Sequence, residues 1–140
     1  MILPAIVLVV GLFIATWSAR VERERRAELL DTFTTICLDA AADRDITPRL
    51  TTAPPLQARD LARLVHEACG DVEASELAVD IIGSDEPVPG EGFEAHRRDD
   101  ATHVVVIRKR AEIRLVLRLR DDTGIATIVG YSVGSISPGG

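Results

Sequence analysis

Few side chains in this sequence could do chemistry by themselves, and their spacing limits what they could do. The three histidines are His66, His96 and His103. His66, Glu67 and Cys69 fall on a predicted helix as His-Glu-Ala-Cys. A zinc-protease helix binds its metal from one face with two histidines, and the second is missing here. His96 stands beside Arg97 and Arg98, whose charges would repel a cation. No metal ligand set is expected; the histidines read as solvated or as caps on backbone groups. Residues 130–134, Gly-Tyr-Ser-Val-Gly, match the GxSxG pattern of serine hydrolases. The context is wrong for that chemistry: Ser132 falls in a predicted strand, no helix follows to form the nucleophile's turn, and no histidine comes later in the chain. Ser132, Ser135 and Ser137 among Gly130, Gly134 and Gly139 look like a phosphate loop only until the missing helix N-terminus is noticed. The sequence thus predicts no enzyme and no cofactor.

Two features remain. Cys37 and Cys69 are the only cysteines, and helical spacing puts each on an apolar face. They read either as two buried thiols acting as small hydrophobes or as a disulfide clipping two helices across a long proline-rich connection, worth roughly 3 to 4 kcal/mol by loop-closure entropy. Their separation excludes a CxxC redox or zinc motif. The second feature is a basic hairpin of Arg108, Lys109, Arg110, Arg114, Arg118 and Arg120, opposed only by Glu112. Alternation places Arg114, Arg118 and Arg120 on one face. This local excess in a chain of net charge −6 is the candidate docking surface for an acidic partner or anionic lipid head groups. The same net charge argues against general nucleic-acid binding.

The elements that must hold these residues begin with an apolar run. Residues 2–19 carry no charge, and as a helix they would cross about 27 Å. With Trp17 at the polar boundary, this predicts a retained single-pass membrane anchor contacting lipid. Arg20, Arg23, Arg25 and Arg26 follow it, which predicts a cytoplasmic domain; paired cysteines would instead imply an extracytoplasmic one. Leu29, Phe33, Ile36, Cys37 and Ala40 then recur on one helical face.

The expected layout is a membrane anchor over 1–19, an amphipathic stalk helix over 20–42, a Pro/Thr-rich linker over 43–56, a small α+β domain over 57–134 and a flexible tail over 135–140. The domain should hold a second helix ending at Cys69 and Gly70, with Leu61, Leu64, Val65 and Ala68 inward. Four strands of a mainly antiparallel sheet should follow. Leu77, Val79 and Ile81 mark the first; Val104 to Ile107, apolar on both faces, the second; Ile113, Leu115, Leu117 and Leu119 the third; and Ile125 to Val133 the fourth. An acidic mobile loop is expected between Gly83 and Asp100.

A long N-terminal helix, apolar in its first half, backing an antiparallel sheet resembles the layout of type IV pilins and their minor relatives. The resemblance is one of order and length; the glutamate those proteins typically carry at the fifth position is Ala5 here. It implies an extracytoplasmic structural subunit, stabilised by the disulfide. Beside it, the residues themselves predict a membrane-anchored accessory or assembly protein that acts by binding, within a membrane-protein complex or as a homo-oligomer.

Overall fold

The computed structural model describes residues 3–70, 72–86 and 100–134, with the side chains of the first helix described at Ile14 and from Thr16 onward. Helix α1 runs unbroken over Leu3–Ala41. A short 3-10 turn at Thr47–Arg49 leads to α2, Ala58–Cys69, and then to strands β1 (Leu77–Gly83), β2 (His103–Lys109), β3 (Glu112–Asp122) and β4 (Ile125–Val133). The strands form one antiparallel meander in the order β1-β2-β3-β4. Two helices on a four-stranded antiparallel sheet make the chain an α+β protein.

The main core lies between helices and sheet. Leu29, Phe33, Ile36, Cys37 and Ala40 of α1 meet Leu61, Ala62, Val65, Ala68 and Cys69 of α2 over Val105, Ile107, Leu115, Leu117, Leu119 and Ile128. Each fully buried Leu or Ile there contributes about 1.5–3 kcal/mol. Leu77, Val79 and Ile81 complete this face from β1. Leu64 is only partly buried at its margin. α2 ends at Gly70, which keeps a helical φ of −66°. A side chain there would meet the His66 carbonyl at 2.6 Å, so the stop is a matter of space rather than of left-handed backbone.

The opposite sheet face carries a smaller buried cluster of Val104, Val106 and Val116, flanked by Ile82 and Ile113. β2 is therefore covered on both sides, as its uninterrupted apolar run requires. Ile113 was expected with Leu115, Leu117 and Leu119, and it lies on the other face. The cause is a bulge: Ile107 pairs with Leu115 but Arg108 pairs with Ile113, leaving Arg114 as the extra residue and resetting the alternation. A second irregularity between Arg118 and Leu119 shifts β4 in the same way.

The proline-rich stretch is more than a linker. Thr52 forms a parallel bridge with Ile128, the Ala53 N–H donating to the Ile128 carbonyl at 3.0 Å and the Ile128 N–H to Thr51 at 2.8 Å. The arm thereby covers the middle of the β4 edge. Most of the predicted acidic loop, residues 87–99, and the tail, residues 135–140, lie outside the described residues.

The anchor expectation is overturned. Among the described residues no helix is long and apolar enough to cross a membrane. This removes the single-pass transmembrane assignment for residues 2–19, the membrane localisation built on it and the choice between its two sides. The charged residues that follow the run also bear another role than the expected one. Past Ser18 and Ala19 the helix carries Arg20, Glu22, Arg23, Glu24, Arg25, Arg26 and Glu28 without a break in the backbone. Within that stretch Glu22, Arg25 and Arg26 are half-buried against the sheet and its loops, while Arg20, Arg23, Glu24 and Glu28 are exposed.

Candidate functional site

The charged stretch of α1 docks on the sheet through a polar network. Arg25 grips Asp121 with two hydrogen bonds of 2.6 Å, from Nε and Nη2, and Nη2 also donates to the Gly124 carbonyl at 3.0 Å. Such a planar, two-pronged pair is the strongest form of charge-assisted contact. Arg25 holds the Asp121 carboxyl below the usual carboxylate range, against the opposing effect of burial. One turn away Glu22 accepts from Arg26 Nε at 3.0 Å and from His103 Nε2 at 2.8 Å. Burial works to raise the Glu22 pKa; these two donors together outweigh it and hold the carboxyl low. Arg26 reaches on to Glu86 at 2.8 Å.

The histidines have structural partners. His103 is 5% exposed, fixed between Glu22 and Thr102. His66 donates from Nδ1 to the Ala40 carbonyl at 3.2 Å, satisfying a carbonyl in the last turn of α1. His96 lies outside the described residues. Among the described residues no group of three metal-ligating side chains converges. Ser132 sits within β4, where its Oγ accepts from Arg118 Nη2 at 3.1 Å.

The basic hairpin is built differently from the sequence expectation. Arg110 falls in the tight turn between β2 and β3, with a φ of 57°, and donates to Glu76 at 2.8 Å. Arg108 lies 3.3 Å from Asp80 across the β1–β2 pair. Lys109 is half-buried in register between Leu77 and Glu112. Arg118 is 4% exposed, enclosed in the sheet rather than presented to a partner. Arg120 lies beside Asp122 at 2.8 Å and Asp100 at 3.9 Å. The Asp122 contact is close but out of line for a hydrogen bond, so Arg120 Nε remains a buried donor without one, as do Arg108 Nε and Arg114 Nε. Arg114 does not join Arg118 and Arg120. Its bulge places it in a cleft with Leu64, Glu67 and Ala68 of α2, beside Leu115 and Gly134. Carboxylates that lie far away in sequence are thus interleaved with the guanidiniums, and the ribbon is not a single basic face.

An apolar surface is more prominent. Ile14, Trp17 and Val21 of α1 are 56%, 61% and 44% exposed. Their spacing of three and four puts them on one line along the helix. In sequence the same spacing continues back through Val10, Val7 and Leu3. The seam stops at Val21, because the next two positions in its spacing are Glu24 and Glu28. The inward face that begins at Leu29 is rotated about 100° from it, so the line is separate from the surface that packs on the sheet.

Sequence reasoning missed this seam because it counted residues 2–19 as apolar all round instead of reading their heptad spacing. It also missed the docked network, since nothing local distinguishes Arg25 from Arg23. No family model, curated protein or solved structure matches this chain.

Proposed function

We propose that the protein works by association, as an assembly or accessory protein, and that its partner is a second copy of the same chain engaged in parallel through the N-terminal half of α1. The observation that carries this reading is the exposed line of Ile14, Trp17 and Val21 along the unbroken helix α1. A three-four repeat is the signature of a two-helix seam, in which each side chain enters a gap on the facing helix. Val7, Ile14 and Val21 alternate with Leu3, Val10 and Trp17. In parallel coiled coils, β-branched residues at the first of these positions favour two strands over three or four. Glu24 and Glu28 would set like charges against each other beyond Val21, which ends the seam where α1 meets the sheet.

Sedimentation of the full chain over a concentration series tests this. The wild type should pass from monomer to dimer, and Trp17→Asp combined with Val21→Asp should remain monomeric with an unchanged far-UV spectrum. A wild type that stays monomeric at about 100 μM, or a double variant that associates equally well, overturns the reading; 100 μM corresponds to only about 5.5 kcal/mol of binding free energy.

A further inference from the structure

Cys37 and Cys69 serve neither the association seam nor the polar network, yet the fold buries both thiols in one core cluster. Cys37 lies in the penultimate turn of α1 and Cys69 is the last residue of α2. Both are free and 0% exposed. The His66 Nδ1 to Ala40 carbonyl hydrogen bond of 3.2 Å ties α2 to α1 one turn from each of them. We propose that Cys37 and Cys69 are a reversible disulfide pair that clips α1 to α2.

A disulfide needs the two Cα atoms about 4.4–6.8 Å apart, and two helices packed together beside both cysteines are the setting in which that spacing is reached with a small shift. The site tolerates such a shift better than mid-helix positions would. Cys69 is followed at once by Gly70, and among the described residues its carbonyl accepts from the N–H of Val72 at 3.2 Å. The bond would close a loop containing the 3-10 turn and the proline arm, the longest irregular stretch among the described residues. Restricting that loop in the unfolded chain is where the stabilisation would arise.

The reaction is thiol–disulfide exchange with a small disulfide such as oxidised glutathione. The Cys69 thiolate attacks one sulfur of that disulfide, forming a mixed disulfide and releasing one glutathione thiolate. The Cys37 thiolate then attacks Cys69 Sγ and releases the second. The two cysteines lose two electrons and two protons, and the small disulfide becomes two thiols. The neighbouring Cys37 lowers the Cys69 pKa and so eases its ionisation, whereas the Cys69 sulfur and burial push Cys37 up, so Cys69 is the attacking group. Because neither sulfur reaches solvent, attack requires local opening at the C-terminal end of α2 or occurs during folding.

The full chain is equilibrated in glutathione buffers from fully reduced to an oxidising poise near −180 mV, quenched, alkylated under denaturing conditions and weighed; the melting temperature is measured in parallel. The proposal expects two alkylated cysteines in the reduced chain and none in the oxidised one, all cross-linking within single chains. It also expects the melting temperature to rise by on the order of 10 °C on oxidation. Cys37→Ala and Cys69→Ala should each show no redox-dependent shift. Thiols that remain alkylatable even after refolding in the oxidising buffer would overturn the proposal. So would a bond that leaves the melting temperature unchanged or lowers it, or cross-links only between chains. None of these readouts depends on the α1 seam, so they leave the association reading to its own test.

Discussion

The two halves of α1 share one continuous backbone and meet opposite fates. In the half nearer the sheet, charged residues are drawn inward: Arg25 has a side chain only 20% exposed and its partner Asp121 only 10%. In the other half, large apolar residues stay outside, with Trp17 at 61%. Composition would have sorted them the other way round. What decides is the neighbour. The sheet offers Asp121 and His103, and the turn after β1 offers Glu86, to the charged turns, while Ile14 and residues 16–20 are exposed. A helix satisfied where it is polar and exposed where it is apolar is the contrast on which the proposed association rests.

The sharpest way to break this contrast is to remove apolar bulk from the docked half. Ile36 is 1% exposed at the centre of the helix–sheet core. Ile36→Ala should cost about 2–5 kcal/mol in urea unfolding, the range for a buried aliphatic whose site cannot collapse. A cost below about 1 kcal/mol would mean that α1 is not seated on the sheet in this way.

The polar docking comes next in size. Arg25→Met strands Asp121 in a largely buried position and should cost about 2 kcal/mol at pH 7. The direction with pH follows from the depressed Asp121 pKa. A carboxyl lowered in the fold contributes stability above its unfolded value of about 3.9 and loses it as pH falls through the folded value. Wild type should therefore lose stability below about pH 4, and Arg25→Met should lose less, because protonation neutralises the stranded carboxyl. A gap between the two proteins that stays constant from pH 7 to pH 3 would show that Asp121 is not the group Arg25 holds.

These contrasts explain how far the sequence could be read. The helix faces were legible because Leu29, Phe33, Ile36 and Ala40 keep a period that no other structure shares. The four strands were legible too, and Leu115, Leu117 and Leu119 point to the core as their alternation says. Alternation cannot announce its own interruption, however. The bulge at Arg114 moved Ile113 to the far face and took Arg114 away from Arg118 and Arg120, because one extra residue reverses every side chain beyond it. The candidate basic face failed for a related reason. Its neutralising carboxylates, Asp80, Glu76 and Asp100, belong to other strands or segments, and only the register brings them near. The apolar N-terminal run was read by length alone, which obscured the line at Ile14, Trp17 and Val21. The turn between β3 and β4 shows the same limit on a small scale. Thr123 and Gly124 both take positive φ, 51° and 82°, as a two-residue turn between twisted strands demands. Nothing about a threonine predicts that conformation.

The smallest expected effect on folding is also the one that separates the two halves most cleanly. Ile14 is 56% exposed and lies in the part of α1 beyond the sheet, so Ile14→Ala removes no core packing. Alanine is moreover the better helix former by a few tenths of a kcal/mol. The unfolding free energy of a dilute, monomeric sample should accordingly stay within about 0.5 kcal/mol of wild type. The same change should weaken self-association roughly tenfold or more, since both copies lose a seam side chain at once and each ~1.4 kcal/mol is a factor of ten. Ser18→Ala, one position off the seam and equally solvent-exposed, supplies the control and should alter neither quantity. If Ile14→Ala lowers the stability of the monomer instead, the side chain is packed within its own chain and the contrast between the two halves dissolves. If Ser18→Ala weakens association as much as Ile14→Ala does, contact runs around the whole helix and the three-four seam is not what the copies recognise.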